Sequence, residues 1–285
     1  MDGDYKQVFF PKTLPELFAS WGRFPDAVPF GGGTELAKEQ EKKHTLALPG
    51  NIISLDRIPD LRVFTRTERY IEAGSMVKLS DILNVERILP SALAQAIKGI
   101  GSPEVRNLAT IGGNICGGNG GNPPKRLDTA APLIALDARF EIRSAQNAWW
   151  TSASRFYGSS GPTALRPQEL LTRIRIPLEQ WDYTLYKKFE TQYMEYEYGG
   201  SAVFLVRIRK NILTDIRLVF AGSAVLRDKD SETALAGKRL PLDKRDAANF
   251  VELWESNLAE EGSLPRIMQA KMLGIIENGL RDLSS

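Results

Sequence analysis

The sequence predicts an α+β protein built from three units, and two observations support this fold class. Over the first two thirds of the chain, short strands alternate with helical segments, and two glycine-rich turns interrupt them. In the last third, strands expected at about 184–190, 201–209 and 214–226 precede two helices, as in an antiparallel sheet covered by helices. A chain of 285 residues is long enough for two or three such units. We place the units at residues 1–57, 58–177 and 178–285.

The first unit combines a helix with two short strands. Thr13 and Glu16 have the spacing of a capping box, and apolar residues follow at helical intervals until Gly22. We therefore expect a helix over 14–21, followed by short buried strands at 27–30 and 52–55. A turn at 58–61 then closes a small α/β unit.

The second unit alternates strands and short helices. Ser91 is expected to cap a helix, and Phe140 and Ile142 alternate with charged residues, which predicts a strand with one wet face. A further helix is expected at 129–136. The other predicted elements are a strand at 70–74, a helix at 79–83 and a strand from 169 to 176.

The third unit should bury one stripe of each of its two helices against the sheet. The apolar residues lie on one stripe of each helix, as in an amphipathic helix. The predicted stripes are Phe250, Leu253, Trp254 and Leu258 on the first helix, and Ile267, Met272, Ile275 and Ile276 on the second.

Composition excludes several classes of function. A net charge of +2 lacks the cationic excess of a nucleic-acid binder, and no apolar run approaches the roughly 18 to 20 residues of a membrane span. The acidic N-terminal segment does not resemble a signal peptide, so a cytoplasmic location is expected. Cys116 and His44 are the only residues of their types, too few for an iron-sulfur cluster or a usual zinc site. Redox chemistry would therefore require an organic cofactor.

The two glycine-rich turns are the clearest sign of a ligand. Residues 112–121 are mostly glycine and asparagine, and 28–36 repeat the pattern on a smaller scale. Glycine-rich backbone presents N–H groups that bind phosphates, and neither turn has a standard nucleotide fingerprint. We expect amides of residues 31–36 and 112–118 to hold one diphosphate from two sides.

Both turns also resemble a known family. Residues 30–36 resemble an AGGT(D/E)L motif, and 106–115, followed by Asp128 and by Leu-x-x-Leu-Asp-Ala at 133–138, resemble an RNxATIGGN(I/L)…D…LLALDA region. These motifs belong to the FAD-binding medium subunits of molybdenum hydroxylases of the xanthine dehydrogenase and carbon monoxide dehydrogenase type. The resemblance implies a two-lobed FAD-binding domain followed by a C-terminal α+β domain.

The resemblance also implies a function as a flavoprotein oxidoreductase subunit. Such a chain binds FAD, receives electrons from an iron-sulfur subunit beside a molybdopterin-binding large subunit, and passes them to NAD or another acceptor. It needs no catalytic acid, base or nucleophile and no metal of its own. Two alternatives remain: a stand-alone flavin oxidoreductase, and an assembly subunit of the same fold that has lost FAD.

Specific roles follow from the resemblance for several of the candidate residues. Glu169 and Leu171 resemble positions that pass the flavin ring, and Lys188, with Lys187 as a rival, resembles a lysine that bonds a ring carbonyl. Asp128 either supports the cofactor or caps the following helix. The candidate cofactor-binding residues are Phe30, Gly31, Gly32, Gly33, Thr34, Glu35, Leu36, Thr110, Gly112, Gly113, Asn114, Cys116, Gly117, Asp128, Glu169, Leu171 and Lys188.

The sequence departs from the family pattern at two places. An insert at 120–126 lengthens the second turn, and Gln192 and Tyr193 stand where the family typically has arginines. A site for a nicotinamide cofactor would need cationic groups for its phosphates, and none is evident in this stretch of the sequence. Cys116 is expected to pack near the cofactor rather than to react.

Overall fold

A computed structural model describes residues 6–37, 50–117, 128–159, 163–189, 199–261 and 266–284. Several predictions fall outside the described residues. They concern His44, residues 118–121 of the second glycine-rich turn, the insert at 120–126, Gln192 and Tyr193.

Strands of the described chain form three sheets, which confirms the α+β class. The first sheet is parallel, in the order β1-β3-β2, with β1 (Val8–Phe9), β2 (Val28–Phe30) and β3 (Ile52–Ser54). The second is antiparallel, in the order β4-β5-β8-β6-β7, with β4 (Phe64–Arg66), β5 (Tyr70–Gly74), β6 (Arg139–Arg143), β7 (Ala148–Ser152) and β8 (Leu170–Pro177). The third is antiparallel, in the order β12-β11-β10-β9, with β9 (Tyr183–Phe189), β10 (Gly200–Arg209), β11 (Ile212–Ala221) and β12 (Val225–Leu226).

The helices pack on these sheets. They are α1 (Leu14–Arg23), α2 (Leu79–Leu83), α3 (Ser91–Lys98), α4 (Pro103–Leu108), α5 (Ile111–Cys116), α6 (Ala130–Ala135), α7 (Ala153–Tyr157), α8 (Lys229–Leu235), α9 (Lys244–Glu261) and α10 (Arg266–Ser284). Residues 34–37 form a further helical turn.

Local capping explains where two of these helices begin. Thr13 caps α1, since its hydroxyl accepts a hydrogen bond from the Glu16 amide at 3.3 Å, and the helix continues through Gly22. The prediction that Ser91 caps α3 is wrong. Ser91 is the first helical residue, and its hydroxyl accepts a hydrogen bond from Gln95 instead.

The charged face of β6 was expected to be solvated, but Glu141 on this face is buried. Glu141 is buried, and it accepts hydrogen bonds from Arg143 and from the Thr172 hydroxyl at 2.8 Å. These partners satisfy the carboxylate and, together with Arg173, lower its pKa against the opposing effect of burial. Strand pairing therefore supplies the polar surroundings that water was expected to provide.

The C-terminal unit also differs from its prediction. The strand expected at 214–226 is two strands, β11 and β12, separated by a turn, and helix α8 was not predicted. Leu253 and Ile267 lie on exposed faces, so they do not belong to the buried stripes.

The third sheet is buried on both faces, and this holds the C-terminal unit against the rest of the chain. Phe204 and Val206 pack under α9 and α10, whereas Val203 and Leu205 pack against the core that contains α6. Alternate residues of a strand point to opposite faces, so β10 belongs to both cores. The unit boundaries after residues 57 and 177 stay predictions.

Candidate functional site

A cleft of about 850 Å³ opens between the first glycine turn, the segment that precedes α5 and the end of β9. It is lined by Val28, Pro29, Phe30, Gly31, Gly32, Gly33, Thr34, Glu35, Leu36, Ala37, Ile52, Ile100, Gly101, Val105, Leu108, Ala109, Thr110, Gly113, Asn114, Asp128 and Lys188.

The first glycine turn presents a helix N-terminus to this cleft. Gly33 has φ +72°, a conformation that favours glycine, and its carbonyl accepts the amide of Ala37 at 2.9 Å. The amides of residues 34–36 therefore lie in the first helical turn, where the helix provides no acceptor. Such amides, at the positive end of the helix dipole, bind anions.

Close packing explains why the first turn needs glycine at residue 32. A Cβ on Gly32 would lie 2.1 Å from the Leu108 carbonyl oxygen, so any side chain would force the two segments apart. Lys78 donates a hydrogen bond to the same carbonyl at 2.9 Å, and burial together with the charge of Arg62 lowers its pKa. The turn is thus held against residue 108.

The second glycine-rich segment is helical over its described part, which corrects its predicted role. The amide of Gly112 donates to the Ser75 carbonyl at 2.9 Å, and that of Asn114 to the Thr110 carbonyl at 2.9 Å. The amide of Gly113 donates to the Thr110 hydroxyl at 3.0 Å, which caps α5. These three amides have acceptors within the protein, so in this structure they are not free to bind phosphate, and cofactor binding by these residues stays a prediction.

Gly112 and Gly113 instead allow close packing. A Cβ on Gly112 would lie 2.6 Å from the Ser75 Cβ, and one on Gly113 would lie 2.9 Å from the Thr110 hydroxyl oxygen. A valine at 113 would therefore disturb the cap of α5. The absence of side chains here brings α5 against the residue that follows β5.

A side cavity of about 210 Å³ adjoins the cleft. The two cavities share Pro29, Gly31, Thr110 and Gly113. The remaining residues that line the side cavity are Leu55, Ser75, Met76, Gly112, Cys116, Leu165, Glu169, Leu170 and Leu171.

The candidate residues gather around these two cavities, with one exception. Gly117, the residue after α5, lines neither of them. Lys188 lines the cleft, whereas Glu169 and Leu171 line the side cavity, so the two sets do not share one cavity. The lining residues that sequence reasoning missed include Ser75, whose only signal was its place after Gly74 at the end of a predicted strand.

Two residues that are distant in sequence form an ion pair in the lining of the cleft. Lys188 Nζ lies 2.8 Å from Asp128 Oδ1, and the Ser201 hydroxyl donates to the Asp128 carbonyl at 3.3 Å. Thr129, not Asp128, occupies the N-cap position of α6, so the capping interpretation of Asp128 is wrong. Lys187 is exposed and does not line the cleft, because neighbouring strand residues face opposite ways.

Two further side chains close to the cavities are Asn114 and Cys116. Asn114 is buried, and its side-chain oxygen accepts a hydrogen bond from Thr129 at 2.5 Å. Desolvation raises the pKa of the Cys116 thiol to about 12, so the thiol stays protonated at neutral pH. A protonated thiol is a poor nucleophile and metal ligand.

The described residues contain no group of three or more histidine, cysteine, aspartate or glutamate side chains placed to hold a metal ion. None of the helices in the described ranges is both long and apolar enough to cross a membrane.

The sequence matches a family of proteins over most of this region. Residues 4–179 match the family described as the FAD binding domain in molybdopterin dehydrogenase. The carbon monoxide dehydrogenase medium chain of Hydrogenophaga pseudoflava is 30% identical over 84% of this chain and 82% of its own length. The medium chain of the same enzyme from Afipia carboxidovorans is 26% identical over 93% of this chain and 92% of its own.

Solved structures share the fold of the whole chain. Carbon monoxide dehydrogenase from Hydrogenophaga pseudoflava, in a form that lacks the Mo-pyranopterin moiety, superposes with a TM-score of 0.79 at 22% identity, covering 99% of this chain and 98% of that one. Quinoline 2-oxidoreductase from Pseudomonas putida 86 superposes with a TM-score of 0.78 at 19% identity, covering 100% and 98%. Together with the sequence match, this establishes that the chain belongs to the family of FAD-binding domains of molybdopterin dehydrogenases.

Proposed function

We propose that this chain is the FAD-binding electron-transfer subunit of a molybdopterin-dependent hydroxylase or dehydrogenase. The observation that carries the proposal is that the cleft is lined by residues 34–36, which lie at a helix N-terminus. A diphosphate is the group that such a site binds best, since it pairs several N–H donors with negative charge.

The residues of the cleft fit a dinucleotide. A volume of about 850 Å³ lies within the range of roughly 300 to 1,000 Å³ that ligand pockets span. Gly31, Gly32 and Gly33 leave the backbone open to close approach, and Thr34 and Thr110 also line the cleft. Lys188 contributes a cation to the lining of the cleft, where it also pairs with Asp128.

FAD, when bound, would supply the electron-accepting and electron-donating chemistry. The chain itself then binds and orients the cofactor. The amides of residues 34–36 would hold the diphosphate, Val105 and Leu108 would contribute apolar contacts to the cofactor, and Lys188 would place positive charge in the lining of the cleft. A fixed positive charge favours a ligand that becomes more negative.

The partners of the chain belong to the same proposal. We infer that an iron-sulfur subunit delivers electrons, that a molybdopterin-binding large subunit hydroxylates the substrate, and that NAD or another acceptor removes the electrons. The likeness to medium chains of carbon monoxide dehydrogenase supports this arrangement. We also propose a cytoplasmic location and unit boundaries after residues 57 and 177, where the chain passes between sheets.

The visible absorbance of the purified full-length chain tests the proposal. We expect the absorption bands of flavin, in about one equivalent per chain, and their bleaching on reduction with dithionite. Co-purification of the tagged chain with its partners tests the assembly. A colourless, folded chain that does not take up added FAD would contradict the proposal.

A further inference from the structure

Thr129 occupies the N-cap position of α6, but its hydroxyl does not cap this helix. A threonine at this position ordinarily accepts a hydrogen bond from an amide of the first helical turn. Here the Thr129 carbonyl accepts the Leu133 amide at 3.0 Å, whereas the hydroxyl donates to Oδ1 of Asn114 at 2.5 Å. Asn114 lies 15 residues earlier, in α5. The Thr129 hydroxyl therefore joins two helices instead of capping one.

This hydrogen bond determines which way the Asn114 side-chain amide is turned. Thr129 is fully buried, and within the described part of the chain the acceptor of its hydroxyl proton is the Asn114 oxygen. If the amide were reversed, two donors would face each other or the hydroxyl proton would lack an acceptor, which is unfavourable in a buried site. Oδ1 of Asn114 is therefore directed at Thr129, and the other arm of the amide, Nδ2, points elsewhere.

The amide nitrogen of Asn114 is available to a ligand. Asn114 lines the cleft, although the residue is only 8% exposed. Among the described residues Nδ2 has no hydrogen-bond acceptor, and this nitrogen is not fully enclosed by protein. An asparagine amide carries two N–H donors, and the donors of buried residues are normally paired. A ligand in the cleft that carries oxygen acceptors would pair with them.

Thr129 is supported firmly, because α6 is anchored at its other end. Arg217 and Arg227 donate hydrogen bonds to carbonyls in the last turn of α6, at 2.7 and 3.2 Å. Both guanidinium groups also pair with Asp137, just beyond the helix. Arg217 lies in β11, and Arg227 follows β12. The third sheet thus fixes the helix that begins after Thr129.

We propose that Thr129 is a positioning residue for the dinucleotide. Its hydroxyl turns the Asn114 amide so that the N–H donors face the cleft, where they form a hydrogen bond to an oxygen of the ligand. The inference rests on the proposed function, and adds to it a residue that lines neither cavity. Thr129 acts on the ligand only through Asn114.

Thr129→Val tests this inference, because valine has nearly the shape of threonine and lacks only the hydroxyl. We expect the affinity of the apo chain for FAD to fall about 3- to 10-fold, the effect of one misdirected hydrogen bond. Thr129→Ser retains the hydroxyl and should bind FAD nearly as wild type does. Titration with FAD, followed by flavin fluorescence, measures these affinities. Thermal unfolding shows that each variant is folded at the temperature of the titration, and Thr129→Ala takes the place of a valine variant that is not.

A double-mutant cycle shows whether Thr129 acts through Asn114. Asn114→Ala removes the amide, so it should also lower FAD affinity. Once the amide is absent, Thr129→Val should have no further effect on affinity, because nothing remains to be turned. If the hydroxyl instead served only the stability of the fold, the two effects would be independent and would multiply.

Thr172→Val is the matched control. Thr172 is also buried, lines neither cavity, and donates its hydroxyl to the Glu141 carboxylate at 2.8 Å. We expect this variant to unfold at a lower temperature and to bind FAD as wild type does. The substitution removes the same buried hydroxyl, so a general effect of burial would appear in both variants.

Three results would overturn the inference and leave the proposed function standing, with wild type binding FAD normally. The first is wild-type affinity in Thr129→Val. The second is an equal loss of affinity in Thr129→Ser and Thr129→Val, and the third is a further loss when Thr129→Val is added to Asn114→Ala. Failure of the folded wild-type chain to bind FAD would overturn both the inference and the proposed function.

Discussion

Gly31→Val should weaken FAD binding strongly while leaving the fold intact. Gly31 lines both cavities, beside the amides proposed to hold the diphosphate. A Cβ there would lie 3.2 Å from the Thr110 hydroxyl oxygen and 3.4 Å from the Met76 sulfur, which are side-chain atoms able to shift slightly. The added methyl groups of valine would then occupy the space between the two cavities.

The expected loss of affinity follows from the contacts that valine would block. Hydrogen bonds to a charged group contribute roughly 1.5 kcal/mol or more each, so blocking two of them weakens binding by about 3 kcal/mol, or about 100-fold. Overpacking should cost about 1 kcal/mol of stability. Titration of the apo chain with FAD, followed by flavin fluorescence, measures the first quantity, and urea unfolding measures the second.

Gly22→Val provides the control for this prediction. Gly22 lies in α1, away from both cavities, and no atom lies within 4 Å of the position of a Cβ there. We expect this variant to bind FAD as wild type does. Unchanged FAD affinity in Gly31→Val would refute the reasoning, as would a loss of affinity of equal size in Gly22→Val.

Three further predictions concern stability. Thr110→Val removes the cap that accepts the Gly113 amide, and should lower the free energy of unfolding by about 1 kcal/mol in urea titrations, whereas Thr110→Ser should retain most of it. Cys116 ionises only in the unfolded chain between about pH 9 and 12, because burial raises its folded pKa to about 12. Wild type should therefore lose stability relative to Cys116→Ala as the pH rises through this window, and parallel curves would contradict the shift. The Arg227 guanidinium lies 3.0 Å from the buried Glu232 carboxylate, so Arg227→Met should lower the free energy of unfolding by about 3 kcal/mol. Adding Glu232→Gln should restore part of that loss, and no recovery would contradict a charge-based cause.

The ion pair between Asp128 and Lys188 in the lining of the cleft could not be predicted from the sequence. Asp128 and Lys188 were each named as candidate cofactor-binding residues, but neither was expected to contact the other. They are distant in sequence and meet because the third sheet packs on α6 through Val203 and Leu205. Periodicity predicts which residues of a strand are buried, but it does not predict against which other elements of the fold they pack.

The role of the glycines in the second turn could not be predicted from the sequence either. Gly112 and Gly113 were interpreted as phosphate-binding because glycine-rich backbone often is. In the structure their amides donate to Ser75 and Thr110, and the missing side chains permit close packing. A glycine needed for packing and a glycine needed for a ligand look the same in a sequence.

The sequence by itself determined the fold class, most helices and strands, and the two segments that line the cavities. Helical and strand periods, the Thr13 cap and the family motifs are local signals, so they could be recognised without the fold. Only the tertiary structure decided that residues 34–36 line the cleft, that Glu141 is buried among arginines, and that Ser75 lines a second cavity. Those features depend on strand pairing and sheet packing between residues far apart in the chain, which local sequence patterns do not encode.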